Sequence, residues 1–145
     1  MADSDVPFAL PGTVEPSLAR VLAYWDGLKR REAAMPFWDD VKLSSLPDLT
    51  DDLMLMDVFS RPERFRFNTI GARIAQRHGD SVAGKFADDV DLHRPFRFLR
   101  AQCSATVEAR EPTYYRDGGN SSRLLLPMWG DGRIGMLLGA VTWHS

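Results

Sequence analysis

The chain has 145 residues, of which 44% are hydrophobic and 26% charged, and its formal net charge is −2. This length and apolar fraction suit one domain with its own core. A nearly neutral chain has no summed field that would attract nucleic acid or an anionic membrane. We therefore predict a single domain that binds neither.

The cysteine content and the N-terminus favour a cytoplasmic protein. Cys103 is the single cysteine, so the chain forms no internal disulfide. The opening MADSDVPFALPG lacks the basic start and the apolar run of a signal peptide. No stretch approaches 18 consecutive apolar residues, so no membrane span is expected.

The first half of the chain predicts one helix and one hairpin. Residues 1–16 are rich in proline and lack an apolar period, which indicates an extended or mobile lead-in. Apolar residues at helical spacing then predict an amphipathic helix over 17–34. The apolar run 53–59 and the alternating run 64–71 flank a turn-forming SRPE and predict an antiparallel hairpin.

The second half predicts two helices and three strands. The segment 72–78 gives about two helical turns, and steps of three and four predict a longer helix over 95–111. Strand candidates follow at 112–117, 122–129 and 133–143, separated by the turn signals DGGN and GDG. This order predicts an α+β domain in which five antiparallel strands present one face to the helices.

Two segments resemble the PAS superfamily. The run FRFNTIGARIAQRHGDSVAGKFADDVDL resembles a PAS core, in which a strand leads through a glycine into a short helix and a G-x-x-x-x-G-K-like loop. LLLPMWGDGRIGMLLGAV resembles the terminal PAS hairpin, and short bacterial one-domain PAS-like proteins look most similar. The likeness covers 17–145, which is predicted as one PAS-like domain behind the 1–16 lead-in.

The resemblance implies a fold and a class of function. It implies an antiparallel sheet in the spatial order 2-1-5-4-3, helices over one face, an N-terminal flanking helix, and a pocket between sheet and helices. It also implies a non-catalytic sensor or adaptor in bacterial signalling. Since no kinase, cyclase or DNA-binding segment follows the core, the output is expected to pass through a partner protein. Neither the signal nor a cofactor is identified by the residues.

The runner-up is a small cone-fold enzyme of the isomerase or dehydratase type. It needs an inward Asp/His or Asp/Tyr pair, for which Asp57, Tyr114 and Tyr115 are the candidates. Strand order in the sheet distinguishes it from the PAS-like fold, because the cone fold connects its sheet differently.

The predicted ligand pocket combines strand residues with residues of the covering helices. Alternation along strands and helical spacing give the following set: Phe65, Phe67, Thr69, His93, Phe96, Arg97, Leu126, Met128 and Met136. Bulky Phe and Met side chains favour a small, apolar or weakly anionic guest over haem or flavin. A filled core without a guest is the alternative.

Other motifs favour structural roles, and no catalytic or metal-binding residue is predicted. The G-x-x-x-x-G-K of 79–85 is followed by Phe86, where a phosphate-binding loop needs Ser or Thr. The histidines lack metal-ligand spacing, although the PAS resemblance implies that His93, next to Arg94 and ahead of the long helix, lies where haem ligands can occur. Cys103 lies on the apolar face of its helix, which favours an inert thiol. Arg94, Arg97 and Arg100 form a stripe that is either solvated or faces an anion.

The first helix carries an apolar stripe that needs cover. Its members are Leu18, Val21, Leu22, Trp25 and Leu28. We predict a homodimer formed partly by this stripe, with Trp25 as anchor. Packing of the stripe on the chain's own sheet is the alternative.

Overall fold

A computed structural model of the chain describes residues 8–30 and 33–144. The described elements are the helices α1 (Pro16–Gly27), α2 (Ala72–His78) and α3 (Leu99–Ala109) and the strands β1 (Leu53–Phe59), β2 (Arg64–Ile70), β3 (Thr113–Asp117), β4 (Ser121–Gly130) and β5 (Arg133–Trp143). Short 3-10 helices at Trp38–Asp40, Leu43–Ser45, Thr50–Asp52 and Ala87–Asp89 lie in the connections. The predicted α+β class is confirmed.

The strands form one antiparallel sheet in the order β2-β1-β5-β4-β3. Two hairpins, β1–β2 and β4–β5, meet where β1 pairs with β5. The segment from α2 to α3 crosses over the sheet and leads to β3 at the far edge. This spatial order is the one that the PAS resemblance implies.

The two faces of the sheet carry different helices. Arg123 of β4 donates a hydrogen bond to Gln102 of α3, so its side chain lies on the face that α3 covers. The preceding residue, Ser122, has its Oγ 3.0 Å from the Tyr114 hydroxyl oxygen, and that hydroxyl donates to Glu15 just before α1. Neighbouring strand residues point to opposite faces. We call the two surfaces the α3 face and the α1 face.

Both long helices are shorter than predicted. The predicted helix 17–34 ends at Gly27, a residue whose backbone freedom disfavours helix. Residues 28–30 and 33–34 are not helical, and residues 31–32 lie outside the described residues. The predicted helix 95–111 begins at Leu99, because Phe98 has a left-handed φ of 58° and Phe96 turns into the core. The corrected α3 ends at Ala109, where Arg110 caps it with φ 58°.

The hairpin predictions are confirmed. β1 and β5 have the predicted bounds, 53–59 and 133–143, and the other strands agree within a residue or two. Turn residues bracket each of these strands, which explains the agreement.

Part of the predicted lead-in contacts the domain. The Tyr114 amide donates to the Phe8 carbonyl at 2.9 Å, and Val14 is partly buried against the core. Residues 1–7 lie outside the described residues. The described part of the lead-in is therefore irregular chain that contacts the edge strand β3.

None of the described helices is both long and apolar enough to cross a lipid bilayer.

Candidate functional site

The space between α3 and the sheet is filled with side chains. Phe67 of β2, Phe96, and Leu99 and Cys103 of α3 are fully buried there. The Phe67 and Phe96 ring centroids are 5.0 Å apart. Burial raises the pKa of the Cys103 thiol to about 12, so the thiol is neutral and inert, as its position on the helix predicts. These four side chains occupy part of the interior that the predicted pocket would need.

The predicted pocket residues divide between the two faces. Phe65 and Phe67 lie on the α3 face near Phe96. Leu126 pairs with Leu138 on the α1 face, and Met128 pairs there with Met136. The expectation of one common floor is therefore wrong for Leu126, Met128 and Met136. Alternation shows which residues of a strand share a face, but pairing with other strands decides which face that is.

Thr69 is also displaced from the predicted face, by a β-bulge. Leu55 pairs with Thr69 whereas Met56 pairs with Phe67, so Asn68 is an extra residue in β2. The extra residue places Thr69 on the α1 face, where it is exposed and donates a hydrogen bond to Asn68. A bulge in a strand without glycine leaves little signal in the sequence.

His93 stacks on the imidazole of His78. The ring centroids are 4.1 Å apart and the planes differ by 9°. His93 Nε2 lies 2.9 Å from the His78 carbonyl oxygen and Nδ1 lies 3.3 Å from an Asp91 carboxylate oxygen. The His78 carbonyl, and less strongly Asp91, raise the pKa of His93. Both ring nitrogens of His93 thus face acceptors of the chain itself.

The same histidines come close to Asp80 without forming a convergent metal site. One potential ligand atom from each of His78, Asp80 and His93 lies within 4.8 Å of the others. An imidazole binds a metal in its own ring plane, and two nearly parallel stacked rings direct their lone pairs along separate planes. A shared ion would require one ring to turn and to lose its carbonyl contact.

Arg97 is engaged at the surface rather than in a pocket. Arg94 and Arg97 lie 3.2 and 3.4 Å from the two carboxylate oxygens of Asp117. Both residues precede α3, so the predicted stripe does not continue as one helix face to Arg100. The Asp117 carboxylate is therefore the anion that Arg94 and Arg97 face.

Arg123 is a buried cation that the sequence did not indicate. Burial lowers its pKa to about 10, so it is charged at neutral pH. Its guanidinium donates to Gln102 Oε1 at 2.6 Å, to the Pro95 carbonyl at 2.9 Å and to the Arg97 carbonyl at 2.8 Å. These bonds hold the backbone on both sides of Phe96, and so keep that ring in the core.

The predicted dimer stripe is covered by its own chain. Leu18, Val21 and Trp25 are buried, and Leu22 and Leu28 are partly buried against the same core. The Trp25 indole N–H donates to the Pro127 carbonyl at 2.9 Å. Trp25 is therefore inaccessible as an anchor, and a homodimer stays a prediction that this stripe does not support.

A Ser–His–Glu cluster lies on the α1 face near α1. His144 Nε2 is 2.9 Å from Ser122 Oγ and 3.0 Å from Glu15 Oε2, and the Tyr114 hydroxyl donates to Glu15. Burial tends to raise the pKa of Glu15, but hydrogen bonds, from Ser122 first, and the charge of His144 lower it overall. In a catalytic triad the acid and the nucleophile contact opposite ring nitrogens. Here both contact Nε2 and Ser122 is buried, which indicates a structural network.

The residues that would support the enzyme alternative are separated. Asp57 of β1 forms an ion pair with Arg66 at 2.9 Å, whereas Tyr114 lies on β3. β5 and β4 lie between those strands, which places them about 14 Å apart at the usual strand spacing. Tyr115, next to Tyr114, points to the α3 face beside Arg123. No inward Asp/Tyr pair is formed among these three candidates.

The glycine-bounded loop 79–85 pairs with β2. The Gly84 amide donates to the Phe67 carbonyl at 2.6 Å, and the Phe67 amide donates to the Lys85 carbonyl at 2.9 Å. A phosphate-binding loop presents free amides to its ligand. The amide of Gly84 is occupied, which agrees with a structural turn.

An open cleft of about 440 Å³ lies at one end of the sheet, beside the C-terminus of α3. The turn between β1 and β2, the end of α3 and the start of β5 meet there. The charged residues lining it are Arg61, Glu63, Arg110 and Arg133. We call it the arginine cleft. Its residues come from distant parts of the sequence and form no motif, so sequence reasoning did not single them out.

Comparisons of the chain with protein-family models, curated proteins and solved structures found no match. The PAS relationship is therefore a proposal, and candidate site residues come from the geometry of this chain.

Proposed function

We propose that the chain is a non-catalytic PAS-type sensor domain of bacterial signalling, which binds a small ligand and passes the signal to a protein partner. The observation that carries the proposal is the sheet order β2-β1-β5-β4-β3 with the α2–α3 segment packed over one face. That order also weighs against the cone-fold alternative, which connects its sheet differently. The single cysteine and its inert thiol agree with a proposed cytoplasmic location.

The packed interior limits what the ligand is. Haem or flavin would have to displace Phe67 and Phe96, which are fully buried and in ring contact. Removing such rings from a core costs about 3–5 kcal/mol each. A large cofactor inside the domain is therefore disfavoured, and a small ligand at an open cleft is the form of sensing that this geometry supports.

A thermal-shift panel of small organic acids and aromatic metabolites tests the proposal. A ligand that binds the folded chain at about one hundred times its Kd adds about 2.7 kcal/mol, which raises Tm by several degrees. Each compound is then recovered and its mass is measured. We expect at least one compound to raise Tm and to be recovered unchanged. Conversion of the compound, or a panel without any stabilising compound, would overturn the proposal.

A further inference from the structure

We infer that the arginine cleft is a binding site for a small carboxylic acid with an apolar body. The inference deepens the proposed function, because it assigns the ligand class and the place where the ligand binds. It lies at the end of α3, lined by Val107 of α3 and by Val58 and Trp129 of the sheet, and not in the buried interior around Phe67 and Phe96, where the PAS resemblance implies a pocket.

Among the described residues, the arginines of the cleft have no acidic partner, whereas eight other arginines have one. Those eight are Arg20, Arg30, Arg64, Arg66, Arg73, Arg94, Arg97 and Arg116, whereas Arg77, Arg100 and Arg123 lie outside the cleft and form no ion pair with a described residue. Among residues 8–30 and 33–144, no carboxylate lies within 4.0 Å of Arg61, Arg110 or Arg133. All three line one cleft, where the Arg133 guanidinium also donates hydrogen bonds to the Val58 and Ile134 carbonyls.

The net charge of the cleft is positive after its negative groups are included. Glu63 contributes one negative charge and accepts a hydrogen bond from Ser104 at 2.8 Å. The C-terminus of α3 contributes about half a negative charge. Three guanidinium groups exceed both together, so an anion gains from entering.

Apolar side chains form the rest of the wall. They are Val58, Phe59, Val107, Trp129 and Ile134. The Arg110 guanidinium lies over the Trp129 ring, 5.1 Å from its centroid. A cation is thus held beside an aromatic surface, an arrangement that suits a carboxylate attached to a flat apolar group. The cleft volume of about 440 Å³ is within the usual range for small-molecule sites.

Backbone conformation supplies a second observation. Arg61 has φ 63° and Arg110 has φ 58°, both in the left-handed region that residues other than glycine and asparagine seldom adopt. Such conformations concentrate at ligand sites. Two of the three cleft arginines are therefore held at positions that local backbone preference would give to glycine, a conformation that Phe8, Phe98 and Asp131 adopt outside the cleft lining.

The test is a titration of the full-length chain with 2-naphthoate, followed by two-dimensional ¹⁵N–¹H NMR. Neutral 2-naphthamide and inorganic phosphate are titrated at the same ionic strength. We expect 2-naphthoate to shift the Trp129 indole signal and the amides of Val58 and Val107. The Arg61→Gln/Arg110→Gln double variant should bind about tenfold more weakly.

Arg77→Gln is the matched control. It removes one exposed arginine that also lies over a tryptophan ring, 4.6 Å from the centroid of Trp143, outside the cleft. Its affinity for 2-naphthoate should equal that of the wild type. The inference is wrong if 2-naphthamide binds as tightly as 2-naphthoate, or if 2-naphthoate does not bind. It is also wrong if only inorganic phosphate shifts the signals. An acid from the thermal-shift panel could instead stabilise the chain and bind the double variant with unchanged affinity. That result would show that this cleft is not the ligand site, but it would leave the proposed sensor function standing.

Discussion

Arg110 ends α3 in a conformation that glycine adopts most easily, and this gives a test that separates stability from binding. Arg110→Gly and Arg110→Ala both remove the guanidinium and its contact with Trp129. Only glycine relieves the left-handed φ of 58°, which costs other residues about 1 kcal/mol. Urea denaturation should therefore show Arg110→Gly about 1 kcal/mol more stable than Arg110→Ala.

Binding is expected to change in the same way in both variants. Each should lose affinity for 2-naphthoate, since the loss follows the missing cation and not the backbone. Equal stability of the glycine and alanine variants would contradict the left-handed end of α3. Retained affinity in both would contradict a role for Arg110 in the cleft.

The residues of the arginine cleft show where sequence reasoning stops. Arg61, Arg110, Trp129 and Arg133 are distant in the chain, and each is ordinary in its own segment. Left-handed turns are usually indicated by glycine or asparagine. Since arginine occupies two of them here, the sequence has no signal for the turns or for the cations they place together.

The loop before α3 keeps the interior closed, because it holds Phe96 in the core. Arg123 of β4 holds the Pro95 and Arg97 carbonyls on either side of Phe96. Arg123→Met keeps the length of the side chain but leaves both carbonyls and Gln102 without their donor. We expect the free energy of unfolding to fall by about 3 kcal/mol, and amide hydrogens around Phe96 to exchange faster.

Arg94→Met is the control for this prediction. Arg94 pairs with Asp117 but is more than half exposed, with 56% of its side chain accessible. Asp117 is buried but keeps Arg97 at 3.4 Å as a second partner, so loss of the exposed Arg94 should cost about 1 kcal/mol or less. A loss in Arg123→Met no greater than in Arg94→Met would show that the loop is held by other contacts.

The elements themselves were largely predictable, and their faces were not. Turn signals bracket β1 and β5, so their bounds follow from local sequence. The bulge at Asn68 and the left-handed Phe98 are backbone features imposed by pairing and by burial of Phe96. Local periodicity carries no information about either, which is why alternation alone predicts one common floor for the pocket residues.

For the molecule as a whole, the placement of Trp25 predicts that its substitution changes stability and not assembly. Trp25→Phe removes the indole N–H that donates to the Pro127 carbonyl, at a cost of about 1–2 kcal/mol. Trp38→Phe is the control, because Trp38 is 48% exposed and should lose less. Light scattering should give the same molar mass for the wild type and for both variants. A dimeric wild type that dissociates on Trp25→Phe would show that the stripe is an interface after all.

We propose that this fold binds a small ligand without converting it and holds no large cofactor in its core. Native mass spectrometry of the freshly purified full-length chain, before and after addition of a stabilising acid from the thermal-shift panel, tests it most directly. We predict no stoichiometric haem or flavin before addition, and afterwards a one-to-one complex that releases the acid with unchanged mass. A bound haem or flavin, or release of a converted compound, would contradict the account.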